Sequence, residues 1–83
     1  MDKKFNIDKF VDNFVPYNKG VYYGMSRSNV IKRVNACSTL RDLAMDLLDH
    51  SPIYYEAIRT RVAPDKKGII ADTISTLEYY MED

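Results

Sequence analysis

The residues most able to do chemistry are three aspartates and the single histidine near the middle of the chain. Asp42, Asp46 and Asp49 share one face of a predicted helix with His50, and Asp46 and His50 have the i, i+4 spacing of a ligand pair. Stable cation sites generally draw ligands from more than one segment, and acids also belong on the solvent face opposite an apolar stripe. We therefore predict a solvated helix face and no bound metal.

Zinc binding and nucleophilic catalysis are limited by how few residues could support them. Cys37 and His50 are the only cysteine and histidine, whereas zinc needs three or four ligands and a nucleophile needs an oriented histidine. The three glycines are scattered and form no phosphate-binding loop. A domain of 83 residues has a thin core that rarely encloses a deep pocket. The sequence predicts a protein that is not an enzyme and holds no cofactor.

Seven tyrosines and no tryptophan favour a protein-binding surface. Tyrosine is enriched at interfaces because it buries a large area at little entropic cost and keeps a polar tip. Neighbouring residues on a helix point about 100° apart, so one ring of an adjacent pair can be buried while the other lies near the surface. We expect exposed tyrosines and an acidic last helix to form the partner-binding surface of a small regulator or inhibitor of a larger host machine. The predicted partner-binding residues are Tyr54, Tyr55, Asp72, Glu78, Tyr79 and Tyr80.

The charges are balanced overall but unevenly distributed. The chain has 12 basic and 12 acidic residues, with eight basic and five acidic side chains in residues 26–67, and four acids and no base in residues 68–83. We favour attraction between these two segments within the fold, with a basic partner as the alternative reading of the acidic surface. The abundance of Lys, Asn, Ile, Tyr and Asp would suit a protein from an AT-rich phage or mobile element.

DNA binding is the alternative function. Residues 40–62 have the outline of a helix-turn-helix, a shape too common to identify a family. Its turn lacks glycine, its first helix is acidic, and the zero net charge provides no basic excess for phosphates. The predicted nucleic-acid-binding residues of this alternative are Arg59, Arg61, Lys66 and Lys67.

Helical periodicity between caps and prolines predicts the first half of the fold. Apolar residues at i, i+3, i+4 and i+7 from Ile7 predict a first helix, with Asn6 as its cap and Pro16 preventing extension beyond Val15. An ordered loop follows. Ser26 then caps a second helix of about ten residues.

The second half follows the same pattern. Thr39 opens a capping box for a third helix with the cleanest leucine stripe, and Ser51-Pro52 begins a fourth helix that Pro64 ends. Asp65 begins a fifth helix. This last helix has a coiled-coil-like seam that we expect to pack on the protein's own core, with a homodimer as the alternative. The seam residues are Ile70, Ile74, Leu77 and Met81.

Together these signals predict an all-α fold, a small single-domain bundle of four to five short helices spanning residues 1–83. Its composition is 46% apolar and 29% charged, which is globular rather than disordered. The lone cysteine and the absence of a signal-peptide pattern predict a cytoplasmic protein. No apolar run approaches the roughly 20 residues of a membrane span.

Overall fold

The computed structural model describes residues 1–61 and 65–82, and the regular secondary structure in this part of the chain is helical. Helix α1 consists of three consecutive segments, Ile7–Lys9, Phe10–Phe14 and Val15–Tyr17. The remaining helices are α2 (Arg27–Ala36), α3 (Leu40–Asp49), α4 (Pro52–Arg61) and α5 (Lys66–Glu78). The predicted all-α bundle of short helices is confirmed, whereas the predicted stop at Pro64 lies outside the described residues. No helix within the described ranges is both long and apolar enough to cross a membrane.

The middle segment of α1, Phe10–Phe14, is a π-helix, in which the N–H of Val15 donates to the carbonyl of Phe10. Pro16 has no N–H to donate, and its ring would clash with the carbonyl four residues earlier in a regular α-helix. A wider turn ahead of the proline accommodates both effects. The helix therefore continues through Pro16 to Tyr17, and the predicted end at Val15 is wrong.

Local capping explains where four of the helices begin. The side-chain oxygens of Asn6, Ser26, Thr39 and Asp65 each accept a hydrogen bond from the backbone N–H three residues later. Each bond satisfies one of the amide groups that a helix N-terminus leaves without a partner. These four predicted caps are confirmed, whereas the hydroxyl of Ser51, predicted to cap α4, accepts a hydrogen bond from the Tyr22 N–H.

The loop between α1 and α2 consists of turns and is joined to the start of α4 by a hydrogen bond. Tyr22 is buried and has φ 50, the left-handed region that bulky residues rarely occupy. Its N–H donates to the Ser51 hydroxyl oxygen at 3.0 Å. This bond fixes the loop against the start of α4, because Ser51 immediately precedes that helix and is itself fully buried.

An aromatic cluster joins α1 to the later helices. Phe10 and Phe14 stack with their ring centroids 5.1 Å apart, and Tyr80 meets both rings edge-on at 6.0 Å. Tyr54 on α4 meets Phe14 edge-on at 5.7 Å. Edge-to-face pairs at these distances stabilise a core beyond the area that they bury.

Helix α5 packs on α3, and its buried face differs from the predicted seam. Ile69, Thr73 and Leu77 are fully buried. The Thr73 hydroxyl donates to the Ile69 carbonyl oxygen at 2.9 Å, which allows a polar side chain to lie in the core. The buried face of α5 therefore begins at Ile69, one residue before Ile70, where the predicted seam begins.

The four predicted seam residues pack on the chain's own core to different extents. Ile70 and Leu77 lie in the chain's own core, while Ile74 and Met81 are partly buried against it. The four side chains therefore pack within the chain, as we expected, and the alternative of a dimer seam through all four of them is corrected.

The two ends of the described chain are held together by backbone contacts. Phe5 and Met81 form an isolated antiparallel bridge, and the Asn6 N–H donates to the Tyr80 carbonyl oxygen at 2.9 Å. These contacts fix the start of α1 beside the residues that follow α5.

Candidate functional site

Of the residues predicted to be able to do chemistry, Asp46 and His50 belong to a hydrogen-bonded cluster around Asp46 on α3. Arg33 on α2 binds the Asp46 carboxylate through two nitrogens, Nε at 3.2 Å and Nη2 at 2.6 Å. The Tyr22 hydroxyl donates to the same carboxylate at 2.5 Å. Asp46 therefore connects the loop, α2 and α3.

Both ring nitrogens of His50 are already occupied. Nδ1 lies 2.9 Å from the Asp46 carbonyl oxygen, and Nε2 lies 3.2 Å from Nη2 of Arg33. Both nitrogens are thus within hydrogen-bonding distance of other groups of the fold, which positions the ring between α2 and α3.

The environment of this cluster stabilises unreactive protonation states. Burial acts to raise the pKa of Asp46, but hydrogen bonds from Arg33 and Tyr22 outweigh it and hold that pKa below its ordinary value. Burial, reinforced by Asp46, raises the pKa of the Tyr22 phenol. Burial also raises the pKa of the Cys37 thiol. The carboxylate stays charged and paired, while the phenol and the thiol stay protonated.

The described part of the chain contains no group of three or more His, Cys, Asp or Glu side chains placed to hold a metal ion. Asp42 and Asp49 are exposed and do not join the Asp46 contacts. We interpret the Asp46 cluster as structural, because each of its polar groups serves a neighbouring element of the fold.

The predicted partner-binding tyrosines separate into buried and exposed residues. Tyr54 and Tyr80 are core residues, 5% and 8% exposed, so their assignment to a partner-binding surface is corrected. Each ring is covered by the aromatic cluster described above. Tyr55 is half-buried, whereas Tyr79 is 71% exposed.

The two predicted acidic residues also differ. Asp72 is half-buried and lies 3.5 Å from Arg61, so its charge is offset within the chain. Glu78 is exposed at the end of α5 and forms no ion pair with another described residue. Of this predicted set, Glu78 and Tyr79 remain fully on the surface.

Tyr79 faces a second exposed tyrosine across a groove of about 490 Å³ between α1 and the end of α5. Tyr17, 88% exposed, lines the same groove together with Lys9 and Asn13. The ammonium nitrogen of Lys9 lies 4.7 Å from the centre of the Tyr79 ring, within the range of a cation–π interaction. We name this surface the tyrosine face and define it by Lys9, Asn13, Tyr17 and Tyr79.

The sequence prediction missed the α1 half of the tyrosine face. Lys9, Asn13 and Tyr17 follow one another at a spacing of four residues, which places them on one side of a helix. That spacing was the available signal. It was not recognised because the first helix was predicted to end at Val15, which left Tyr17 in a turn.

The predicted nucleic-acid-binding residues are not gathered into one surface. Arg59 pairs with Glu56 at 2.9 Å and Arg61 pairs with Asp72, so acids offset both arginines. Lys66 and Lys67 line two adjoining hollows between α3 and α5, which neither arginine lines.

The connection between the two helices of the helix-turn-helix outline is also short. Only residues 50 and 51 separate α3 from α4, whereas such motifs use a turn of three to four residues. No specific observation favours DNA binding over protein binding.

The chain matches no protein-family model, and no curated protein or solved structure is similar to it. The geometry of its own side chains is therefore the basis for inferring function.

Proposed function

We propose that this chain is a non-enzymatic protein-binding module that acts as a small regulator or inhibitor of a larger protein assembly through its tyrosine face. One observation carries the proposal. Tyr17 and Tyr79 are 88% and 71% exposed and line a shared groove, although they come from opposite ends of the chain. The neighbouring rings of Phe14 and Tyr80 are buried, so the two exposed rings are not part of the core.

Tyrosine supports this function because each ring offers a large contact area with few rotatable bonds. Lys9 holds a cation over the Tyr79 ring, which limits the freedom of that ring before a partner arrives. The groove also lies between elements joined by the Asn6–Tyr80 backbone hydrogen bond. The tyrosine face is thus largely formed before binding.

Glu78 suggests the charge of the partner. It immediately precedes Tyr79, is exposed, and forms no ion pair with another described residue. A partner with a basic side chain near its contact with Tyr79 would complement it.

The Asp46 cluster supports a non-enzymatic role. His50 has both nitrogens engaged, and Tyr22 and Cys37 are held in protonated forms that are poor nucleophiles. We further propose that the protein acts in the cytoplasm, since its single cysteine forms no internal disulfide.

Site-specific photocrosslinking tests the proposal. We would place p-benzoylphenylalanine at Tyr17 or at Tyr79 in the full chain, illuminate cells that naturally produce the protein, and identify the adducts by mass spectrometry. Both positions should give the same crosslinked protein, because their rings line one groove.

The control position is Tyr23, which is 83% exposed but lies in the loop before α2 and does not line the groove. It should not yield the adduct obtained from the tyrosine face. The proposal would be rejected if all three positions gave the same adducts, or if positions 17 and 79 crosslinked only to nucleic acid.

A further inference from the structure

A second surface, separate from the tyrosine face, is a groove between α3 and α5. It contains two hollows of about 240 and 250 Å³ that share Ile70 as a wall. Met45 and Tyr55 line the first hollow, and Ala71 and Ile74 line the second. We name this surface the α3–α5 groove. Its floor is apolar over both hollows.

The rim of the α3–α5 groove is basic. Lys66 borders the first hollow, and Arg41 and Lys67 border the second. None of these three cations forms an ion pair with a described residue. Asp49 is the one acid among the described residues that line the two hollows. The rim thus carries a local positive charge in a chain whose net charge is zero.

The position of the two lysines is unfavourable for the helix that carries them. Lys66 and Lys67 occupy the first turn of α5, which contains no acidic residue. The N-terminal end of a helix has a partial positive charge, so cations there oppose the helix dipole. The acidic cap Asp65 already favours the start of α5, so the two lysines add nothing to that end of the helix, but they would attract a negatively charged partner.

The hollows have the size of receptors for side chains. Each is below the roughly 300 Å³ at which small-molecule pockets begin. Two such hollows side by side suit apolar residues that recur on one face of a helix. Met45 is 41% exposed, and its flexible thioether can adapt to the shape of an incoming side chain.

We propose that the α3–α5 groove binds an acidic amphipathic helix of a partner protein. Apolar side chains of that helix enter the two hollows, and its carboxylates pair with Arg41, Lys66 and Lys67. Charge complementarity selects this occupant over a neutral or basic helix. The apolar floor selects it over nucleic acid, because phosphate contacts gain nothing from Ile70 and Ile74. This proposal does not depend on the tyrosine face.

A pair of designed peptides tests the groove directly. One peptide has leucines at i, i+3, i+4 and i+7 with glutamates at the other positions, and the second has lysines in place of the glutamates. Each is titrated into the full chain labelled with ¹⁵N, and amide shifts are followed by NMR. The glutamate peptide should shift the amides of Met45, Ile70 and Ile74 in a saturable manner, and the lysine peptide should not.

Charge reversal separates specific binding from general attraction. The double variant Arg41→Glu/Lys67→Glu should weaken binding of the glutamate peptide by about tenfold or more, since two attractions become repulsions. Lys3→Glu/Lys19→Glu makes the same change in net charge at exposed positions away from the groove, and should change the dissociation constant by less than about threefold.

Several results would overturn the proposal. These are equal binding of the two peptides, amide shifts that map outside the α3–α5 groove, and equal weakening by the two double variants. Stronger shifts of the same amides by duplex DNA or by phosphatidylserine vesicles would assign the groove to those ligands instead. Shifts of these amides that depend on protein concentration without any peptide would assign it to a second copy of the chain.

Discussion

Tyr79 and Tyr80 are adjacent and chemically identical, yet one is exposed and the other is buried. Replacing each with alanine therefore distinguishes the stability contribution of a surface ring from that of a core ring. Tyr80 is 8% exposed and meets the rings of Phe10 and Phe14 edge-on, whereas Tyr79 is 71% exposed. Truncating a large buried aromatic to alanine typically costs about 3–5 kcal/mol, because apolar contact is lost and a cavity remains. An exposed substitution usually changes stability by less than about 0.5 kcal/mol.

These values can be compared with the stability expected for the whole chain. At about 0.05–0.15 kcal/mol per residue, an 83-residue domain has a free energy of unfolding of about 4–12 kcal/mol. Tyr80→Ala should therefore remove at least about a quarter of it. For a domain of this size, a loss of 1 kcal/mol lowers the melting temperature by about 4–8 °C. A loss of at least about 3 kcal/mol should therefore lower Tm by about 12 °C or more.

Urea unfolding followed by far-UV circular dichroism measures both variants against the parent protein. Tyr79→Ala should retain the parent midpoint, and Tyr80→Ala should show an earlier midpoint with a similar slope. The assignment of the two rings would be refuted if Tyr79→Ala cost more than about 1 kcal/mol, or if the two variants were equally destabilised.

Three further predictions concern the Asp46 cluster, the loop glycines and DNA. The pKa of Asp46 is lowered by folding, so its stabilising contribution is present above the ordinary aspartate pKa and is lost as pH falls through the lower folded value. Asp46→Asn should cost about 1–2 kcal/mol at pH 7 by urea unfolding, and the difference from the parent should shrink by pH 2.5; a constant difference would contradict this. Gly20→Ala should destabilise the protein more than Gly24→Ala. Both glycines have a positive φ, but only at Gly20 would an added Cβ come within 2.6 Å of the Cβ of Ile53. Equal midpoints of the two variants in thermal melts would contradict this prediction. Fluorescence anisotropy with duplex DNA should stay flat at low salt, and salt-sensitive binding would revive the helix-turn-helix alternative.

The parts of the fold that the sequence predicted correctly depend on short-range signals. Ser26, Thr39 and Asp65 each cap a helix through a bond to the amide three residues later. Such bonds need only the local chain, so residue type and spacing are sufficient to predict them. The leucine stripe of α3 was predicted for the same reason.

The missed features depend on contacts between distant residues or on competition between local rules. Arg33 and Tyr22 converge on Asp46 across 13 and 24 residues, which no local pattern specifies. Pro16 was predicted to end the first helix, but the π-helical segment before it allows the helix to continue to Tyr17. Helical spacing also could not decide which tyrosine of a pair enters the core.

The candidate site was predicted in part. Tyr79, Tyr80 and Glu78 were all predicted to lie on the partner-binding surface, without a decision on which tyrosine is exposed; Tyr79 and Glu78 are exposed, whereas Tyr80 is buried. The groove itself required Tyr17, whose position next to Tyr79 depends on how the two ends of the chain pack together. That packing is a tertiary property and could not be read from spacing within either segment.

The central claim, protein binding through the tyrosine face, is tested most directly by the affinity of the crosslinked partner for Tyr17→Ser/Tyr79→Ser. Isothermal titration calorimetry should show at least about a hundredfold weaker binding than for the parent chain, because two aromatic contacts of about 2 kcal/mol or more each are removed and a hundredfold corresponds to about 2.8 kcal/mol. Tyr23→Ser, which alters an equally exposed ring outside the face, should bind like the parent. Unchanged affinity of the double variant, with its fold intact by circular dichroism, would contradict the claim.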